Sequence, residues 1–205
     1  ENGTTATVVS STPGASGGWK TGNGPLLRND IYLGNKFDGS VAESLQGWER
    51  DGSFNDTDWT YAVAMDTQAA SLGPLYPETV QQVETVEVLD GKLIYSDAQT
   101  AVYDLGRNFA GGINVTFVGP LVAGESVSIV YGEILQPNGS AVNPLTSTAG
   151  QIKGPGRGGP CAPDFAFQQD DVIFPTASQK QSFSFASQFT WHAFRYLQIT
   201  AATAA

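Results

Sequence analysis

The chain of 205 residues has one cysteine and one histidine. A single thiol, Cys161, permits no disulfide within the chain and excludes zinc or iron–sulfur sites built from clustered thiolates. The single imidazole, His192, lies in the run FTWHAFRY, patterned as a buried strand, where a packing role outweighs a catalytic one. No G-x-S-x-G, G-x-G-x-x-G or P-loop occurs, so serine-nucleophile and nucleotide chemistry have no support. Basic residues are few: ten Lys and Arg against twenty Asp and Glu, a net charge of −10. That balance argues against partners such as nucleic acid or an anionic membrane surface, which need a basic footprint. Charged residues make up 15% of the chain, below the usual quarter or so. No apolar run approaches the roughly 18 residues needed to span a bilayer.

Glycine (24) and proline (11) are plentiful, and the polarity comes largely from neutral side chains. This favours a turn-rich β protein. Residues 1–17, rich in Ser, Thr and Gly, read as a loose N-terminal tail, and residues 18–205 as one domain. Strand patterns recur at Val80–Leu89, closed by the hairpin signal Asp90-Gly91, and at Lys92–Ser96, Ala101–Leu105, Gly111–Val118 and Ser126–Ile134. Asp171–Phe174, Gln181–Phe185 and Ala193–Thr200 complete the set. Only Val41–Leu45 and Trp59–Ala64 look briefly helical. The expected fold is all-β: a single antiparallel β-sandwich of jelly-roll type with little helix. The Gly/Pro-rich segment 144–163 is a long loop, of a length usually tied to function or disorder. Four N-x-S/T sequons, at Asn2, Asn55, Asn114 and Asn138, point to a secreted glycoprotein.

The stretch from Gly24 to Trp59 concentrates acids, amides and two tryptophans. It opens on Ile31–Leu33, expected as an extended segment between turns at Asn29-Asp30 and Gly34-Asn35, and passes through polar loops at Lys36–Gly39 and Arg50–Asp58. Its carboxylates and amides are the hard oxygen ligands that calcium takes, as is the Asp170-Asp171 pair at another strand end, although EF-hand spacing is absent. Trp48 and Trp59 offer flat apolar faces of the kind that pack against sugar rings.

Five runs resemble α-L-rhamnosidases of glycoside hydrolase family 78. They are GPLLRNDIYLGNKFD, GWERDGSFNDTDWTYA, VYDLGRNFAGGINVTFVG, VSIVYGEIL and FTWHAFRYLQITA, in order from about Trp19 to Thr200. The resemblance implies the accessory sandwich of such an enzyme, without the helical barrel that carries the catalytic glutamates. It also implies kinship with the family-67 carbohydrate-binding modules, which hold terminal L-rhamnose through calcium. On that basis the metal candidates are Asp30, Asn35 and Asp38, and the sugar candidates are Asn29, Asn35, Trp48, Trp59 and Arg157. Two departures stand out: Asn35 replaces the family's glutamate after Gly34, and Ser40 stands where relatives carry arginine. Asp104, Arg107 and Asn108 match a family motif but read as turn and packing residues, with Arg195 pairing internally.

The expected function is non-catalytic, calcium-dependent recognition of L-rhamnose on plant or microbial polysaccharide, alone or beside a larger polysaccharide-degrading enzyme. Two alternatives stand beside it. One is a structural accessory domain with a degenerate sugar site. The other is a small polysaccharide-degrading enzyme, for which acid abundance is the sole support.

Overall fold

The computed structural model describes residues 18–50, 52–63, 76–146, 168–175 and 182–202. The tail at 1–17, the loop at 147–163, Asp51, Arg157 and Cys161 lie outside the described residues. By its contacts the chain divides into two compact units, residues 1–23 with 47–86, and residues 24–46 with 87–205.

Among the described residues eleven strands follow one another: β1 (Lys20–Thr21), β2 (Leu26–Asp30), β3 (Gly34–Asp38), β4 (Thr60–Tyr61), β5 (Lys92–Ser96), β6 (Thr100–Gly111), β7 (Asn114–Val118), β8 (Ser126–Gly132), β9 (Gln169–Ile173), β10 (Ser182–Ala186) and β11 (His192–Ala201). One short helix, α1 (Gly39–Ser44), follows β3. In the second unit seven strands form one sheet in the order β2-β3-β9-β8-β11-β6-β5, and β7 pairs with β10 in a two-stranded sheet. All neighbours are antiparallel except β3 and β9, which run parallel. The fold is the expected all-β one, but the large sheet is mixed and not wholly antiparallel.

Alternation builds the core. Along β8, Val127, Ile129 and Tyr131 are buried while Ser126, Ser128 and Val130 are less so, as period-two patterning requires. Ile129 stands opposite Ile199 and Tyr131 opposite Leu197 on β11. Val172 and Phe194 extend the same buried face. On the small sheet Val115 faces Phe185 and Phe117 faces Phe183, and all four pack into this core. Thr116 and Ser184, one residue out of phase, hydrogen-bond at 2.9 Å and are exposed. Phe37–Phe185 at 5.7 Å and Phe117–Phe174 at 5.2 Å tie the two sheets through tilted and edge-on ring contacts, the geometry aromatic quadrupoles prefer.

Four local expectations are corrected. Ile31, Tyr32 and Leu33 are the turn of the β2–β3 hairpin, and the residues read as turns, Asn29-Asp30 and Gly34-Asn35, are its strands. The Asp30 carboxylate sets that turn by accepting the Tyr32 and Leu33 N–H groups at 2.7 and 3.0 Å, a local bond that competes with extended structure. Lys36–Gly39, read as a loop, supplies the end of β3 and the start of α1. Val80–Leu89 forms no strand: Val80, Val83, Val86 and Val88 are all exposed, and β5 pairs instead with β6. Trp59–Ala64, read as a helix, contains β4, where Thr60 and Tyr61 pair with Thr21 and Lys20; Ala64 lies outside the described residues. Val41–Leu45 does mark a helix, α1, capped by Asp38, whose Oδ1 accepts the Ser40 and Val41 N–H groups.

Candidate functional site

In the second unit a cluster of wholly buried polar groups joins the β2–β3 hairpin to residues 187–192. At its centre is Asp170 on β9. Oδ1 accepts the Asn35 N–H at 2.7 Å. Oδ2 accepts the hydroxyls of Tyr131 at 2.6 Å and Ser187 at 2.9 Å, with His192 Nε2 at 3.3 Å. Asp170, Asn35 and His192 have no exposed surface. The His192 ring lies parallel to that of Tyr131, centroids 3.8 Å apart. Burial disfavours the charged form of Asp170, but the bonds from His192, Asn35 and Tyr131 outweigh it, and its pKa lies below the usual carboxylate value. Burial, and then the charge of Asp170, push the Tyr131 phenol up. Ser187 meets the carboxylate and not the imidazole, so these residues are not arranged as a hydrolase relay, in which the serine meets the histidine.

Gly34 makes this close approach possible. Its φ is +80°, and a Cβ there would stand 2.4 Å from the Gln169 carbonyl oxygen and 2.8 Å from Asp170 Oδ1. Only glycine fits both constraints.

Asn29 and Asn35, opposite each other on β2 and β3, converge on the backbone of Gln188. Asn35 Oδ1 accepts the Gln188 N–H at 3.0 Å, and its Nδ2 donates to the Gln188 carbonyl at 3.2 Å. Asn29 Nδ2 donates to the same carbonyl at 2.7 Å. Asn35 thus acts as a side-chain extension of the sheet. Gln168, just before β9, donates its Nε2 to the Ile31 carbonyl at 2.9 Å and its N–H to the Tyr32 carbonyl at 3.0 Å.

The sequence-predicted metal trio does not surround one point. Asp30 turns the hairpin, Asn35 is spent on Gln188, and Asp38 caps α1. Asp38 lies three residues along β3 from Asn35, about 10 Å of extended chain. Burial opposes the charged form of Asp38, but the Ser40 and Val41 bonds outweigh it and lower its pKa. Among the described residues no group of three or more His, Cys, Asp or Glu could hold a metal ion. These side chains do not fit a shared calcium site. Asp171, expected beside Asp170 as an oxygen ligand, forms an ion pair with Arg28 at 3.0 Å and accepts the Ser128 hydroxyl at 2.7 Å.

Of the sugar candidates, Arg157 lies outside the described residues. Trp48 and Trp59 belong to the first unit, their ring centroids 6.0 Å apart, with Phe54 edge-on to Trp59 at 5.7 Å. Trp59 is an anchor of that unit: a Cβ on Gly22 would meet its indole nitrogen at 2.8 Å. Trp48 leaves 56% of its surface open.

Sequence reasoning missed Asp170 as a hub and the segment carrying Phe189 and Trp191. FTWHAFRY was read as a buried strand, yet β11 starts at His192, and Phe189 (86%) and Trp191 (47%) are exposed. The four sequential residues Gln188–Trp191 give no periodicity from which that break is readable.

Sandwich, buried hub and hairpin define an all-β domain. The family model described as the bacterial alpha-L-rhamnosidase concanavalin-like domain matches residues 95–205, over half the chain, and the chain belongs to that family. Among similar proteins is an alpha-L-rhamnosidase of Formosa agariphila, 26% identical over 89% of this chain and 17% of its own length. Another, from Streptomyces avermitilis, is 23% identical over 89% of this chain and 15% of its length. The chain therefore spans less than a fifth of these relatives. Solved structures share the fold: the alpha-L-rhamnosidase from Dictyoglumus thermophilum superposes with a TM-score of 0.68 at 23% identity, covering 91% of this chain and 18% of that one. The Streptomyces avermitilis enzyme complexed with L-rhamnose gives 0.67 at 21% identity, over 89% and 15%.

Proposed function

We propose that this chain is a non-catalytic accessory domain of an α-L-rhamnosidase that recognises L-rhamnose-bearing carbohydrate without cleaving it. One observation carries the non-catalytic part: the acids at the candidate site are committed to the fold. Asp30 sets a turn, Asp38 caps a helix, Asp170 is a buried hub and Asp171 pairs with Arg28. Glycoside hydrolysis needs two carboxyl groups facing each other across a cleft, and these acids do not form such a pair. Sugar recognition draws support from family membership and from open aromatic surface. Secretion follows from such a substrate, since rhamnosyl polysaccharides are met outside the cell.

The test has two arms. Incubation of the 205-residue chain with an aryl α-L-rhamnoside is expected to release no sugar above buffer. Isothermal titration with L-rhamnose is expected to give saturable heat. Turnover in the first, or silence in the second, overturns the corresponding half of the proposal.

A second reading, the purely structural domain, is favoured by the full use of Asn35 within the fold. Calcium dependence is the finer part of the sugar-binding proposal and draws no support from Asp30, Asn35 and Asp38 as they are placed. Repeating the titration after EDTA decides it: heat abolished by chelation and restored by calcium would place the metal elsewhere in the chain.

A further inference from the structure

Three unusual features coincide where the β2–β3 hairpin meets residues 187–192. First, the non-glycine residues with positive φ among the described residues are Gln168 (42°) and Phe189 (52°), and both lie here. A bulky side chain in that region is strained and persists only where its surroundings over-determine it. Second, the buried side-chain polar atoms without a hydrogen-bond partner among the described residues are Gln168 Oε1, Thr190 Oγ1 and His192 Nδ1. Such atoms are rare and each calls for an explanation. Third, the same short loop exposes Phe189 and Trp191, and the turn of the hairpin whose strands hold it exposes Ile31 and Tyr32.

The loop is also well anchored. Asn29 and Asn35 grip Gln188 by three hydrogen bonds. Ser187 and His192, on either side, are both bound to the buried carboxylate of Asp170. The exposed aromatics between them are held on a fixed frame, which lowers the ordering cost of binding. Burial accounts for the frame but not for the presentation of two large aromatics to solvent at its tip.

We propose that the loop Gln188–Trp191, with the hairpin turn Ile31–Leu33, is the sugar-contacting surface of this domain, and that its ligand is a neutral deoxy- or hydroxyl-rich sugar. The chemistry of the surroundings selects that class. The exposed polar side chains here, Asn29 and Gln188, are neutral amides, matched to hydroxyls and not to an ionic ligand. Phe189 and Trp191 supply apolar faces for ring C–H groups and for a methyl substituent. The net charge of −10 disfavours an acidic glycan. The inference rests on the proposed recognition of L-rhamnose-bearing carbohydrate and moves its contacts from Trp48 and Trp59 to this loop.

The experiment is isothermal titration of L-rhamnose into four proteins: wild type, Phe189→Ala, Trp191→Ala and Trp48→Ala. Phe189 and Trp191 are exposed, so their truncation leaves the core packing intact, and circular dichroism checks that each variant is folded. The expected result is binding weakened about tenfold or more in each loop variant, as loss of a stacking face implies, with Trp48→Ala binding as wild type does. Wild-type binding that survives both loop substitutions overturns the inference while leaving the sugar-binding proposal intact. Loss confined to Trp48→Ala does the same and returns the site to the first unit. Absence of heat with the wild type overturns the sugar-binding proposal itself.

Discussion

Asp170 accepts the backbone N–H of Asn35 at 2.7 Å across 135 residues of sequence. The same carboxylate accepts Tyr131 and Ser187, so one side chain fastens the hairpin, the sheet centre and the loop before β11. Replacing it with asparagine turns an acceptor into a donor facing donors. Asp170→Asn is expected to destabilise the fold by about 3 kcal/mol, as for loss of buried bonds to a charged group, measured by urea unfolding. Ser187→Ala, which removes one bond, is expected to lose about 1 kcal/mol.

The lowered pKa of Asp170 makes stability depend on acid. Its unfolded value is about 3.9, and the folded value lies below that. The contribution is therefore fully present above the unfolded value and is lost as pH falls through the folded one. Wild-type stability is expected to drop below about pH 4, and the Asp170→Asn protein to lose less over the same window. Equal slopes in the two proteins would show that Asp170 does not titrate as described.

Gly34 admits no side chain. Gly34→Ala adds a Cβ at 2.4 Å from a backbone oxygen in a left-handed conformation. A loss of roughly 3 kcal/mol is expected, with the midpoint of denaturant unfolding as the readout. Gly139, also at positive φ but with open space around it, is expected to lose only about 1 kcal/mol on substitution by alanine.

Arg195 holds both oxygens of Asp104, with Nε on Oδ1 and Nη2 on Oδ2, each at 2.8 Å. That bidentate bond leads the causes that keep the Asp104 carboxyl below its usual pKa. Lysine cannot reproduce the fork. Arg195→Lys is expected to lower the melting temperature and to raise the Asp104 pKa towards its ordinary value, visible in the carboxyl resonances.

Exposed valines give a contrast. Val83 and Val86 stand fully in solvent, so serine at either is expected to change stability by no more than about 0.5 kcal/mol. Phe194→Ala, at a residue with no exposed surface, is expected to lose about 3–5 kcal/mol.

Alternation made the sandwich legible wherever one face is buried. Val127, Ile129 and Tyr131 announced β8, and Val115 and Phe117 announced the inner face of β7. The internal pairing of Arg195 was also anticipated, and Asp104 is its partner. The β2–β3 hairpin was inverted because Ile31-Tyr32-Leu33 has the composition of a strand, while the bond from Asp30 to the following N–H groups fixes a turn, and composition does not reveal that bond. Val80–Leu89 misled for the opposite reason: its valines recur with nothing to pack on. At the site, Asn29 and Asn35 were singled out for ligands, whereas their partner is the backbone of Gln188, more than 150 residues away. Contacts of that separation leave no trace in local pattern. Only topology brings them together.

The most direct measurement of the central claim is release of L-rhamnose from an aryl α-L-rhamnoside by the 205-residue chain, run beside a calorimetric titration of the same sample with L-rhamnose. The account predicts saturable binding with no sugar released above buffer. Catalytic release that rises with protein concentration, and survives further purification, would contradict it.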